Sequence, residues 1–230
     1  MSKTKINVIF SDAGGILFND SFAKLQEFQF LQQYSPLDYQ DFSQAFYPFK
    51  RRAQISSEYT KMDAFRDFLA SRGRTDLYGP YQEFCEEYHR KYFQDPHALL
   101  FPDVKETLEK IKMQRIPFIV LTDTTSTRKA CEDFYSRLGI LDYLTDIFSS
   151  ADLHVKKPHP EFFSTALQKH PFRKEEVLFV GHDWDELYGA QEYGFQLGAL
   201  RWKEEREEEL RALENTFMLE TFQDLLKLIE

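Results

Sequence analysis

Apolar residues gather at the start of the chain, where Ile6, Val8, Ile9 and Phe10 form a short stretch broken only by Asn7. A run this short, closed by Ser11 and Asp12 and followed by Gly14 and Gly15, predicts a buried strand ending in a tight turn. The period then changes. Phe22, Leu25, Phe28 and Leu31 recur at helical spacing, as do Phe65, Phe68 and Leu69, and no strand-like segment follows until residues 116–122. Ser35-Pro36, Ser56-Ser57 and Gly79-Pro80 punctuate this stretch, which the spacing predicts to be a four-helix insertion between the first and second strands.

From residue 98 onward the pattern alternates: a helix near 103–114, a strand over 117–121, a helix near 126–138 and a strand over 146–148. It continues with a helix near 160–169, a strand over 177–180, a helix near 186–193, a strand over 195–200 and a terminal helix ending in Leu225, Leu226, Leu228 and Ile229. Strands alternating with helices predict a parallel sheet. The expected fold is therefore α/β: a Rossmann-like, doubly wound parallel core formed by residues 1–18 and 98–230, with a smaller inserted helical cap over residues 19–97. A chain of 230 residues is long enough for one sizeable core plus such an insertion.

Charge and composition narrow the partners. A net charge of −9 argues against a nucleic-acid surface, which needs clustered Lys and Arg. No apolar run approaches the ~20 residues of a membrane helix. The first residues pass straight into the strand pattern without the features of a signal peptide, so a cytoplasmic location is expected. Cys85 and Cys131 sit apart in helical stretches and read as packing residues. The 23 phenylalanines, many of them in the insertion, read first as helix packing. Small-molecule chemistry stays open, and the oligomeric state is not legible.

In a doubly wound sheet ligands bind at the carboxyl ends of the strands. The first strand delivers Asp12, the second Thr122, Asp123 and Thr124, and the fourth Gly181, His182 and Asp183, while Lys156-Lys157-Pro158 precedes a helix. Together these offer a carboxylate, hydroxyl and backbone donors, a cation and further carboxylates, the equipment of phosphoryl transfer assisted by a divalent cation. Each has a plainer reading: a strand-closing turn at Asp12, a turn residue at Thr122, and a helix cap or surface partner at Lys157. Helix N-terminal stabilisers among Asp183, Asp185 and Glu186, and a structural His182, complete that alternative.

In this order the motifs resemble the haloacid dehalogenase (HAD) superfamily of hydrolases with a helical, C1-type cap. The family's first motif corresponds to Asp12 through Leu17, its second to Thr122, its third to Lys157, Pro158, Pro160 and Phe162, and its fourth to Gly181 through Ala190. Leu100-Phe101-Pro102 resembles the return from cap to core. The resemblance implies that Asp12 attacks phosphorus and forms an aspartyl-phosphate. Thr122 and Asp123 would then bind the substrate phosphate, and Lys157 would neutralise its charge. It also implies Mg2+ held by Asp12, the backbone carbonyl of Gly14 and Asp183, with Glu186 as the alternative acid. The substrate would be a small phosphorylated metabolite.

The chain departs from that pattern at Gly14, where the family's phosphatases carry a second Asp that protonates the leaving group and then activates water. Positioned proton transfer is worth ~10²–10⁴ in rate, so slow turnover with a preference for acyl or aryl phosphates is expected, and the group that replaces this Asp is left open. Ile16 stands where Thr is common. These departures keep two other readings in view: an impaired member that binds a phosphorylated ligand or a protein partner, and a non-phosphatase hydrolase such as a dehalogenase.

Overall fold

The strand β1 (Val8–Ser11) is buried on both faces because it runs through the middle of a sheet covered on both sides. In a computed structural model, which describes residues 5–202 and 204–229, it lies between β2 (Phe118–Thr122) and β4 (Val177–Gly181). β3 (Asp146–Ser149), β5 (Gln196–Leu200) and β6 (Thr216–Leu219) complete the order β3-β2-β1-β4-β5-β6, with every pairing parallel. Consecutive side chains on a strand point to opposite faces. Ile9, Phe118, Val120, Leu178 and Val180 accordingly pack in one layer, against α5 (Val104–Met113) and α6 (Arg128–Arg137). Val8, Phe10, Ile119, Leu121 and Phe179 face the other layer, against α8 (Pro160–Lys169) and α9 (Trp184–Tyr193). The short α7 (Ser150–Leu153) follows β3 directly.

The sixth strand differs from the sequence expectation of one terminal helix. Residues 204–229 instead form α10 (Glu207–Arg211), β6, a 3-10 turn over Phe222–Leu225 and α11 (Leu226–Ile229). β6 is an edge strand whose first three residues are only half-buried, so it lacks the continuous apolar run that marks the central strands. Its pairing with β5, Leu197 opposite Thr216 through Leu200 opposite Leu219, supplies what its own pattern lacks.

Between β1 and α5 lie four α-helices: α1 (Ser21–Leu31), α2 (Tyr39–Gln54), α3 (Lys61–Ser71) and α4 (Tyr78–Tyr92). Their periodic aromatic residues form a third cluster around Phe30, Phe42, Phe46, Phe65, Phe68 and Tyr81. Phe65 and Tyr81 approach to 4.1 Å between centroids, and Phe42 meets Phe68 edge-on at 5.7 Å. Asp38 caps α2 through the Gln40 and Asp41 N–H groups, and Thr60 with Asp63 forms a capping box on α3. α2 reaches the core where the Gln54 amide approaches the Asp123 carbonyl at 3.5 Å and His154 Nδ1 lies 3.2 Å from the Ile55 carbonyl.

Candidate active site

The sheet order turns back on either side of β1, which makes the carboxyl end of β1 the crevice where doubly wound sheets bind ligands. Asp12 leaves β1 at that point, with its N–H bonded to the Val180 carbonyl at 2.8 Å. The following turn needs glycine at 15, where φ is +79° and a Cβ would stand 3.1 Å from the His182 ring. Ile16 is fully buried in the core, so its departure from Thr serves packing. The guanidinium of Arg201 fixes the same turn by donating to the Ile16 carbonyl at 2.7 Å.

Lys157 organises what lies above. Its Nζ is 2.7 Å from Asp12 Oδ1 and 2.8 Å from Glu186 Oε2, and its side chain is 0 % exposed. The backbone that carries it is held from two sides. Asp123 Oδ1 accepts the Lys157 N–H at 3.0 Å, and Gly189 in α9 lies so close to Pro158 that a Cβ there would overlap the ring. The Lys157-Pro158 peptide is cis. Asp123 therefore reaches the site with its carboxylate turned to the lysine loop, Lys156 standing 3.7 Å away. Thr122, buried at the end of β2, shares a hydrogen bond with the hydroxyl of Tyr135.

The electrostatics follow from one enclosed ammonium among several carboxylates. Burial opposes ionisation of Asp12, yet the adjacent Lys157 and His182 hold its carboxyl below the usual range. Burial also works against the charge of Lys157, and Asp12, Glu186 and Asp123 outweigh it and raise its pKa. Glu186 is pushed up to about 8 by burial, with Lys157 opposing and the neighbouring Asp12 and Asp123 adding to the rise. Asp123 is raised by burial against the pull of Lys157 and Lys156.

Of the two acidic candidates beyond β4, Glu186 is the one drawn into this group, while Asp183 keeps 56 % of its side chain exposed at the rim. His182, legible in sequence only as a structural residue, faces Asp12: its Nδ1 lies 3.6 Å from Asp12 Oδ2 and finds no hydrogen-bond partner among the described residues. Another residue not singled out by the sequence is Asp20, whose carboxylate occupies the space beside Gly14. An Asp-Ser step ahead of a helix gives no signal beyond that of a cap.

A cleft of about 970 Å³ opens over this group, lined by Lys157, His182 and Glu186 from the core and by Tyr47 and Arg51 from α2. Asp12, 7 % exposed, does not line it directly but adjoins two residues that do, Lys157 at 2.7 Å and His182 at 3.6 Å. Among the described residues no three His, Cys, Asp or Glu side chains converge into a ready-made metal cage. The donor chemistry does fit a hydrated Mg2+: carboxylates of Asp12, Glu186 and Asp183 and the Gly14 carbonyl are hard oxygen donors, and magnesium takes one or two carboxylates while keeping several waters. Carboxylates that raise one another around a single buried ammonium leave room for further positive charge.

A parallel α/β sheet thus gathers a carboxylate, a hydroxyl and a lysine at the end of its central strand. The family model for haloacid dehalogenase-like hydrolases matches residues 41–200, and the chain belongs to that family. A phosphoglycolate phosphatase from Pectobacterium atrosepticum is 33 % identical over 150 residues, 64 % of this chain and 63 % of that protein. The pyrophosphatase PpaX of Bacillus thuringiensis is 27 % identical over 228 residues, 98 % of this chain and 97 % of its own. Among solved structures, a predicted phosphoglycolate phosphatase from Haemophilus somnus superposes with a TM-score of 0.68 at 19 % identity, covering 99 % of both chains. L-2-haloacid dehalogenase from Xanthobacter autotrophicus superposes at 0.64 and 17 % identity, over 97 % of this chain and 98 % of that one. At these identities the two structures speak for the fold.

Proposed function

We propose that this chain is a phosphohydrolase that acts on a small phosphorylated metabolite through an aspartyl-phosphate on Asp12. The observation that carries this reading is the buried pair Lys157–Asp12 at 2.7 Å, which keeps a carboxylate ionised beneath an open cleft. Similarity to a phosphoglycolate phosphatase and to a pyrophosphatase supports the substrate class. Asp12 Oδ attacks phosphorus as the bond to the leaving oxygen breaks. Thr122 donates to a phosphate oxygen, and Lys157 balances the charge on the transferring group. Water then attacks the phosphorus of the intermediate, releasing phosphate and restoring the carboxylate.

Mg2+ belongs to the same proposal, held by Asp12, the Gly14 carbonyl and Glu186 or Asp183, where it would supply charge neutralisation on the phosphate. Residues 19–97 act in this reading as the cap that sets specificity over a core of residues 1–18 and 98–230. A cytoplasmic enzyme fits two free, buried cysteines, and no helix among the described residues is long and apolar enough to cross a membrane.

A second reading rests on Gly14. A halide leaves without a proton, so a dehalogenase would not need the missing acid. The deciding experiment measures phosphate release from acetyl phosphate and p-nitrophenyl phosphate by wild type and Asp12→Asn, each with magnesium and with chelator, alongside chloride release from 2-chloropropionate. Metal-dependent phosphate release lost in the variant is expected. Chloride release alone would establish the second reading, and silence in every arm would leave a binding role.

A further inference from the structure

The chain crosses between the core and residues 19–97 twice, and the two crossings are joined. Phe18 bridges Leu100, the Asn19 N–H donates to the Leu99 carbonyl at 2.9 Å, and the Phe101 N–H donates to the Leu17 carbonyl at 3.2 Å. The outgoing crossing continues the turn that begins at Asp12: the Leu17 N–H returns to the Ala13 carbonyl at 2.8 Å and the Gly15 N–H reaches the Phe18 carbonyl at 2.9 Å. Whatever holds the crossings therefore holds the turn. We propose that Arg201, which stands outside the cleft, is a positioning residue that clamps both crossings and thereby sets how Asp12 is presented beneath the cap. The proposal rests on the phosphohydrolase reading above, with residues 19–97 as the cap.

One guanidinium makes all of the contacts. Its Nη1 donates to the Ile16 carbonyl of the outgoing crossing at 2.7 Å, and its central carbon lies 4.0 Å from the centre of the Phe101 ring on the return crossing. Its Nη2 meets Asp103 Oδ1 at 2.9 Å, where the return crossing enters α5. Asp103 is anchored in turn: its other oxygen accepts the Phe222 N–H at 2.6 Å, and its side chain makes no capping bond to α5. A planar fork that serves two acceptors and lies on a ring at once is a property of arginine that lysine lacks. Arg201 also holds φ at +55°, a left-handed conformation that side chains other than glycine adopt at a cost. Backbone strain and clamp can therefore be separated, because glycine relieves the first and removes the second.

None of Ile16, Phe101 and Asp103 lines the cleft, so Arg201 neither binds substrate nor moves a proton. Its effect reaches the reaction through the placement of the Asp12 carboxylate and the Gly14 carbonyl, which share the turn whose Ile16 carbonyl it holds. A displacement of about 1 Å at a reacting group, caused from far away, costs up to ~10²-fold in rate. The same contacts govern the cap, because the few residues at a crossing absorb the change in backbone angle when a domain moves. One side chain thus ties the approach of the cap to the aim of the nucleophile.

The test compares Arg201→Met, Arg201→Lys and Arg201→Gly in the full chain with magnesium present. It reads kcat on acetyl phosphate and p-nitrophenyl phosphate, the urea midpoint and backbone hydrogen exchange. Arg201→Met should lose roughly 10- to 10²-fold in kcat. The amides of Asn19 and Phe101 should exchange at least about tenfold faster, beyond any change at the central-strand amides of Phe10 and Phe179. Arg201→Lys keeps one donor for the Ile16 carbonyl and should turn over at least about threefold faster than Arg201→Met. Arg201→Gly relieves the left-handed backbone, so it should be more stable than Arg201→Met while losing as much kcat. A kcat loss that instead follows the urea midpoints through the three variants, or wild-type kcat in Arg201→Met and Arg201→Gly, overturns the clamp and leaves the phosphohydrolase intact. Wild type that releases phosphate from neither substrate overturns the reading beneath it, and exchange at Asn19 and Phe101 then decides the clamp alone.

Discussion

The grouping of lysine and carboxylate at the end of β1 and the one inside the cap are built on opposite ratios. At the strand end a single ammonium, Lys157, is shared by Asp12 at 2.7 Å and Glu186 at 2.8 Å, with Asp123 close enough to add to the field. Inside the cap a single carboxylate, Glu27, is shared by Lys61 at 2.9 Å and the Tyr81 hydroxyl at 2.8 Å, while Gln26 also accepts from Lys61. The cap group has donors enough for its one acid and stays closed among aromatic residues. The core group has more acid than base and opens on a cleft, and its surplus appears as a carboxyl at Glu186 raised to about 8. Balance marks a structural network; an uncompensated excess at an open strand end marks one that expects a ligand.

The sharpest way to break that contrast is to remove each group's single shared ion. Lys157→Met leaves Asp12 and Glu186 without their cation, so it should cost about 3 kcal/mol in urea denaturation and lower phosphate release by at least about 10²-fold. A variant that kept its activity would show that Lys157 is structural only. Glu27→Gln keeps the shape of the cap group and removes the charge. It should cost about 2 kcal/mol by the same denaturation assay while leaving kcat/KM within about threefold. A larger kinetic loss would mean that the cap network reaches the site and that the two groups are not separable.

The same contrast explains what could be read in advance. Strands β1 to β5 were legible because central parallel strands are continuous apolar runs, and Asp12, Thr122 and Lys157 because their positions follow strand ends and a Lys-Pro step. β6 was hidden, since an edge strand carries only a half-buried pattern and borrows its order from β5. His182 and Asp20 were hidden for another reason. A histidine after a glycine and an aspartate before a helix have ordinary structural uses, and only the folded chain shows one beside Asp12 and the other beside Gly14. Periodicity reports which face is buried; it does not report which polar side chain enters a gap left by a missing one.

A third buried carboxylate supplies the smallest test, because it has the chemistry of the site at the wrong end of the sheet. Asp146 opens β3, at the end away from the cleft, and meets Arg128 at 2.7 Å, Lys169 at 2.7 Å and His170 at 2.6 Å. Burial would raise its pKa, but Lys169, His170, the Ile147 N–H and Arg128 together hold it below the usual carboxylate value. A folded-state pKa depressed in this way gives stability that is present above the unfolded value near 3.8 and is lost as pH falls through the folded one. Two of the partners are about half exposed to solvent, which screens the pairing. Asp146→Asn should therefore cost only about 1 kcal/mol at pH 7, and the difference from wild type should shrink as urea midpoints are followed from pH 5 down to pH 3. Activity at pH 7 should be unchanged. A kinetic defect in this variant would show that charge buried at either end of the sheet feeds the site, and the distinction between a balanced network and an open one would fail.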